Sequence, residues 1–273
     1  LGVRGPCRSD GTHQQMTLQV MGVLNITPDS FSDGGKFQNP EAALQQGKQL
    51  VSDGATILDI GGESTKPGAE RVSLDEELTR IIPVVHALAK TGAKVSVDTM
   101  RAETAALAVA AGASIVNDVS GGLSDPAMHA TVAALKVQYI CMHWRGQSKD
   151  MDSLAVYDDV VMDVINELTK QVASALLAGI EPTKLVVDPG LGFAKNAEQN
   201  WEILRNIDKF KELGFPILVG GSRKRFLGGN DPLERESASI ALTTWLATKH
   251  IWGVRTHTAK PHVEAIKVVG QVL

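Results

Sequence analysis

Asp98, Asn117 and Asp188 each close a short apolar run. Such a run ending in a carboxylate or amide places that group at a strand end. A carboxylate taken out of water there needs donors to offset its desolvation. The three together suit a flat heterocycle rich in amino and ring N–H groups. A second set is cationic and rich in donors: Lys66, Lys224, Arg255 and His257, with the hydroxyls of Thr65 and Ser222. That set suits phosphate or diphosphate. Asn25 and Asp29 add oxygen donors for a Mg2+ carried by a diphosphate, because Mg2+ is commonly held by one or two protein oxygens plus phosphates. No nucleophile–base pair stands out. Cys141 lies inside an apolar run and reads as core. His86 and His250 fall on helical segments and read as surface or packing residues. His143 ends an apolar run and reads equally as a ligand contact or a structural group. The pattern describes a site that binds a heterocycle beside a leaving diphosphate.

These residues converge only if the elements that carry them do. Eight β-branched runs, at 20–26, 57–60, 94–97, 114–117, 137–142, 185–187, 217–219 and 252–255, alternate with segments that carry helix signals. Asn39-Pro40-Glu41 opens one helix, which Gly54 closes. Ser73-Leu74-Asp75-Glu76 is a capping box for a helix running to Lys90. Residues 102–111 form an Ala-rich helix that Gly112 ends. Asp125-Pro126 and Asp231-Pro232 start two more, and 158–178 and 198–213 fill the remaining gaps. Strict β-α alternation with near-continuous apolar strands predicts a parallel sheet covered by helices. Eight units predict a closed (β/α)8 TIM barrel, of the α/β class, in a single domain. An open doubly wound sheet is the alternative, but its GxGxxG after the first strand is missing. In a barrel the active site lies at the carboxyl ends of the strands, and all eight of those ends carry a polar or charged residue.

Composition bounds the rest. The 273 residues fit one barrel, and the 43% hydrophobic content can bury its core. Lys and Arg number 27 against 31 Asp and Glu, a net charge of −4 without a basic block, which argues against a nucleic-acid partner. No apolar run approaches ~18 residues, so no membrane span is expected. Two distant cysteines, Cys7 and Cys141, offer neither a disulfide framework nor a zinc ribbon. With no secretory signal in the first residues, the chain reads as cytoplasmic. Residues 1–15 are polar and read as a segment outside the barrel, disordered or the remnant of a neighbouring domain. The barrel then spans 16–273, with Met16 as a natural start.

The same residues resemble the dihydropteroate synthase family, the sulfonamide-target enzymes of folate biosynthesis, over about residues 18–269. The resemblance rests on motifs in order. The run from Met21 through Asn25-Ile26-Thr27-Pro28-Asp29-Ser30-Phe31 to Gly35 comes first, followed by Asp59-Ile60-Gly61-Gly62-Glu63-Ser64-Thr65-Lys66-Pro67-Gly68. Ser96-Val97-Asp98-Thr99, Asn117-Asp118 and Asp188-Pro189-Gly190-Leu191-Gly192-Phe193 lie between these and the final pair, Ser222-Arg223-Lys224 and Arg255-Thr256-His257. The resemblance implies a transferase that joins p-aminobenzoate to 6-hydroxymethyl-7,8-dihydropterin diphosphate with release of diphosphate, in an SN1-like reaction. It implies that Asp98, Asn117, Asp188, Lys224 and Met142 hold the pterin. Asn25, Thr65, Lys66, Arg255 and His257 would hold the diphosphate, with Asn25 on Mg2+. Phe31, Pro67, Phe193, Ser222 and Arg225 would shape the p-aminobenzoate pocket. Asp98, Lys224 and Asp29 would act in catalysis, and members of the family commonly form homodimers. The apolar stretch 240–251 with Trp245 is the candidate interface here, or a helix packed on its own barrel.

Several positions depart from the family pattern. Lys66 stands where Arg is usual, keeping charge but losing bidentate phosphate geometry. Thr256 and Thr258 replace Val and Asp, and Arg225 replaces the common Ser. Arg255-Thr256-His257 also resembles the mobile sulfonamide-insensitive members, but the extra residue those carry near the Gly-Phe of strand six is not evident at 190–193. Antibiotic resistance therefore stays open. Two alternatives compete with a synthase: a pterin-binding methyltransferase domain, which has no need of a diphosphate clamp, and a catalytically inert pterin-binding paralogue, which Lys66 and Thr258 motivate.

Overall fold

The computed structural model describes residues 18–27, 40–64, 71–147 and 149–273. The segment 1–15 and the start at Met16 lie outside the described residues. Eight strands alternate with eight helices: β1 (Gln19–Asn25), α1 (Pro40–Ser52), β2 (Ile57–Gly61), α2 (Leu74–Ala89), β3 (Val95–Asp98), α3 (Ala102–Ala110), β4 (Ile115–Asp118) and α4 (Met128–Leu135) form the first half. β5 (Gln138–Met142), α5 (Val160–Leu177), β6 (Leu185–Asp188), α6 (Ala197–Arg205), β7 (Leu218–Val219), α7 (Glu236–Ala247), β8 (Gly253–Thr256) and α8 (Lys260–Val272) form the second. All neighbours pair in parallel in the order β6-β5-β4-β3-β2-β1-β8-β7. A single bridge, Val187 to Ile217, joins β6 to β7 and closes the ring. The fold is the expected (β/α)8 barrel, and each predicted strand lies within about two residues of its place.

Period-two alternation sorts the strand residues into an outer and an inner set. The outward set, such as Leu24, Leu58, Val97, Val116 and Cys141, packs under the helices in one large core. The inward set starts with an apolar layer, Met21, Ile57, Ile115, Ile140, Val186 and Leu218, which fills the barrel. Above it the inward positions turn polar, at Asp59, Ser96, Asn117, Asp98, Asp188 and Arg255. In register, Gly61 faces Asp98, Asp98 faces Asn117, and Met142 faces Asp188. The barrel is therefore dry below and polar at its carboxyl end.

Helix signals were followed with adjustments. Ser73 caps α2 by accepting from Glu76 N at 3.2 Å. The reciprocal half of the box is not made, because Glu76 turns to Arg80 instead. Asp159 caps α5 by accepting from Val161 N and Met162 N, both at 3.0 Å. Asp125 opens the turn before α4, which begins at Met128: its Oδ1 accepts from Ala127 N at 2.9 Å and its carbonyl from Met128 N at 3.0 Å. Its carboxylate accepts from Ala102 N at 2.8 Å and so caps α3 on the neighbouring unit. Asp231-Pro232 opens a 3-10 turn, Pro232–Arg235, that leads into α7. The helix expected over 198–213 breaks at Asn206 into α6 and a 3-10 segment, Ile207–Leu213.

Candidate active site

A cavity of about 720 Å³ opens at the carboxyl end of the barrel, walled in part by Asn25, Phe193, Lys195, Lys224, Arg225, Arg255 and His257. Asp98, Asn117 and Asp188 lie at the ends of β3, β4 and β6, each buried. Their convergence shows in the spacing around two glycines. A β-carbon at Gly61 would lie 3.6 Å from Asp98 Oδ2 and 3.7 Å from Asn25 Oδ1; one at Gly220 would lie 3.7 Å from Asp188 Oδ2 and 3.8 Å from Arg255 Cβ. One group draws on the adjacent strands β1 to β3 and the other on β6 to β8.

Arg255 ties this floor together. Its Nη2 donates to Asp98 Oδ2 at 2.6 Å and its Nε to Asp59 Oδ2 at 2.5 Å. Asp59, fully buried on β2, also accepts from Asn117 Nδ2 at 3.0 Å. Burial pushes the Asp98 carboxyl above its ordinary range, and the Arg255 guanidinium draws it back. Burial works against the Arg255 charge, but Asp59 and Asp98 outweigh it and hold the guanidinium protonated. The acceptor set and the cationic set are therefore not separate halves of the rim, because Arg255 belongs to both. Asp188 has its own donor, Gly190 N–H at 2.7 Å on Oδ1, and burial raises its carboxyl too.

Lys224 and Phe193 form the opposite wall. Lys224 Nζ lies 4.1 Å from the centroid of the Phe193 ring and donates to Leu191 O at 2.5 Å. Burial draws the Lys224 ammonium down to about 7. Met142 packs with Phe193, Met100 and Met151 beneath the loops, beside the Asp188 strand end. Ser222 Oγ lies 3.1 Å from His257 Nδ1 and accepts from His257 N at 3.3 Å. Burial, with Arg255, Arg223 and Lys224 nearby, pushes the His257 imidazole down to about 3. The sequence groups His257 with the cations, whereas its burial among them disfavours the charged form. Arg225 lies at the mouth, where it meets Asp152 at 3.3 Å with both side chains largely in solvent. Asp29, Phe31, Thr65, Lys66 and Pro67 lie outside the described residues.

The unusual threonines turn away from the floor. Thr258 Oγ1 bonds the Glu236 carboxylate at the start of α7, and Thr256 Oγ1 donates to Thr258 O at 2.7 Å. Glu236 also holds Arg223 Nε at 2.9 Å, which fixes the turn that delivers Lys224. The departures at 256 and 258 are therefore absorbed in the support of the β7 and β8 loops. Cys141 is buried core and His86 is exposed, as their positions implied. His143 is fully buried and bonds Glu167 and Lys195, which settles the open choice in favour of a structural group.

Sequence reasoning missed three groups. Asp59 was legible, since counting every second residue from the inward Ile57 reaches it. Lys195 follows a loop with no periodicity to read. Glu63, quoted only within a motif, accepts from Arg71 at 3.0 Å and Arg101 at 2.9 Å, linking strand β2 to the residues past 65–70.

Residues 21–257 match the family model described as pterin binding enzyme. Dihydropteroate synthase from Mycobacterium leprae (strain TN) is 48% identical over 263 residues, covering 93% of each chain. The chain belongs to the dihydropteroate synthase family. Among solved structures, Xanthomonas albilineans dihydropteroate synthase with 4-aminobenzoic acid superposes with a TM-score of 0.88 at 42% identity, covering 93% of each chain. Yersinia pestis dihydropteroate synthase with a sulfonamide drug complex gives 0.88 at 39% identity, covering 94% of each. The described rim carries Asp98, Asn117 and Asp188 together with Lys224, Arg255 and His257.

Proposed function

We propose that this chain condenses p-aminobenzoate with 6-hydroxymethyl-7,8-dihydropterin diphosphate to give 7,8-dihydropteroate and diphosphate. The observation that carries this reading is the single floor on which Asp98, Asn117 and Asp188 meet Arg255. One substrate bearing both ring donors and phosphates would satisfy all four. In the reaction the methylene C–O bond breaks, its electron pair leaves with diphosphate, and the aniline nitrogen attacks the methylene and then loses a proton. Asp98, Asn117 and Asp188 would accept from the pterin. Asp98 would also stabilise positive charge as it develops. Arg255 and Lys224 would balance the departing diphosphate, with His257 and Ser222 as neutral hydrogen-bonding partners. Phe193 would flank the p-aminobenzoate ring, and Arg225 at the mouth would face its carboxylate. A weakly basic aniline gains more from positioning than from general-base help.

Among the described residues no group of three acidic, His or Cys side chains could hold a metal ion. Among the described residues Asn25, lining the cavity, fits an ion that arrives on its diphosphate. In that role Mg2+ would neutralise charge on the leaving group. Among the described residues no helix is long and apolar enough to cross a membrane, and we place the enzyme in the cytoplasm. We also propose a homodimer through α7 and α8, which pack together and leave Ile240 and Trp245 only half-buried.

Purified protein mixed with the pterin diphosphate, p-aminobenzoate and Mg2+ should release dihydropteroate and diphosphate in equal amounts. Bound pterin without product would favour the inert paralogue. Adding a sulfonamide to the same assay measures drug response.

A further inference from the structure

At the cavity wall and behind it, four side chains form a relay that the reaction above does not use: Lys195, which lines the cavity, and His143 are buried, while Glu167 and Arg145 are partly exposed. Lys195 Nζ donates to His143 Nδ1 at 2.9 Å, to Gly190 O at 3.1 Å and to Phe193 O at 3.0 Å. Three acceptors satisfy the full donor complement of an ammonium. His143 Nε2 lies 2.8 Å from Glu167 Oε2, so the tautomer that donates there leaves Nδ1 free to accept from Lys195. Arg145 grips Glu167 through Nε at 3.0 Å and Nη2 at 2.6 Å. Burial pushes the His143 imidazole down to about 3, so the ring is neutral and its polarisation by Glu167 reaches the ammonium. Burial draws the Lys195 ammonium down to about 7, and the three acceptors around Nζ favour its charged form.

What Lys195 holds is the loop after β6. Its backbone is tightly confined. A β-carbon at Gly190, where φ is +68°, would lie 2.4 Å from His143 O; one at Gly192, where φ is +74°, would lie 2.6 Å from Lys224 Cδ. Gly192 N–H donates to Asn200 Oδ1 of α6 at 2.6 Å. The two carbonyls that Lys195 grips bracket Leu191, whose own carbonyl receives Lys224, and the second belongs to Phe193.

We infer that Lys195 is a positioning residue for the condensation: through the Gly190 and Phe193 carbonyls it sets Phe193, and with it Lys224, at the wall where p-aminobenzoate meets the pterin. Glu167 and His143 sustain it from behind. This rests on the proposed reaction.

Steady-state kinetics of Lys195→Met test it. The Michaelis constant for p-aminobenzoate should rise at least about tenfold, while that for the pterin diphosphate changes less than about threefold. Glu167→Gln, more exposed and away from the cavity, should shift the same constant in the same direction by less. Lys195→Cys alkylated with 2-bromoethylamine restores an ammonium of nearly the original length. It should return the constant to within about threefold of wild type, with alkylated wild type as the control for Cys7 and Cys141. If Lys195→Met folds but keeps both constants, or raises both equally, the inference is overturned. If Lys195→Met does not fold, an unchanged constant in Glu167→Gln, or failure of the alkylated variant to recover, overturns it as well. A wild-type chain that makes no dihydropteroate overturns the proposed reaction and this inference with it.

Discussion

Asp98 and Arg255 meet at 2.6 Å from β3 and β8, which are not neighbours in the sheet, and Asp59 on β2 holds another edge of the same guanidinium. The pair has two tasks at the residue scale. It offsets the burial of the carboxylate, and in the proposed reaction it would present that carboxylate where positive charge develops. Asp98→Asn removes the charge and keeps the shape. It should lower kcat by about a hundredfold, the order seen when one preorganised electrostatic group is lost. Full kcat with only a raised KM would refute the charge-stabilising role. Much of this floor is legible in the sequence. Asp98, Asn117 and Asp188 each end an apolar run, and a run that enters a barrel must end at its rim. Lys195 is not legible there, because its partners are a histidine and two carbonyls brought near only by folding. The neutrality of His257 is equally hidden, since it depends on burial among three cations.

Elements carry a different kind of information. Local signals place each strand within about two residues of its position, because β-branched runs and their flanking breakers are contiguous in sequence. Helix starts are less legible where one residue also caps a second unit, as Asp125 does on α3. Close packing between helices is likewise invisible to a local reading. At Gly112, past the end of α3, φ is +117° and a β-carbon would lie 2.6 Å from Ala89 Cβ at the end of α2. Ala89 has no flexible end to move aside, so the backbone would have to give. Gly112→Ala should therefore destabilise the fold by about 2–3 kcal/mol, combining left-handed strain with overpacking. Urea denaturation would measure it, and a loss below about 0.5 kcal/mol would show that α2 and α3 separate easily.

At the scale of the whole molecule, two imidazoles are kept neutral by burial, His143 and His257, each pushed down to about 3. Unfolded, both take up a proton near the ordinary histidine value of about 6.5. Below that value the unfolded chain binds more protons at these two positions, so their contribution to stability is full above pH 6.5 and is lost as the pH falls toward 3. Each group contributes up to about 1.4 kcal/mol per pH unit across that window. Melting temperatures recorded from pH 8 to pH 4 should fall steadily below 6.5, and less steeply in His257→Gln. A profile equally steep in His257→Gln would contradict the burial of that ring as a neutral group, since the raised carboxyls such as Asp98 act alike in both chains. The ring of strands has its own uneven strength. β1 and β2 share five paired positions, whereas β6 and β7 are joined at one bridge, Val187 to Ile217. The loops leaving those two strands carry Phe193 and Lys224. Breathing of the native barrel should therefore begin at that seam, with the amides of β7 exchanging with solvent before those of β1 to β5. A ligand clasped between Phe193 and Lys224 would act as a rivet across it, slowing that exchange without adding a hydrogen bond to the sheet.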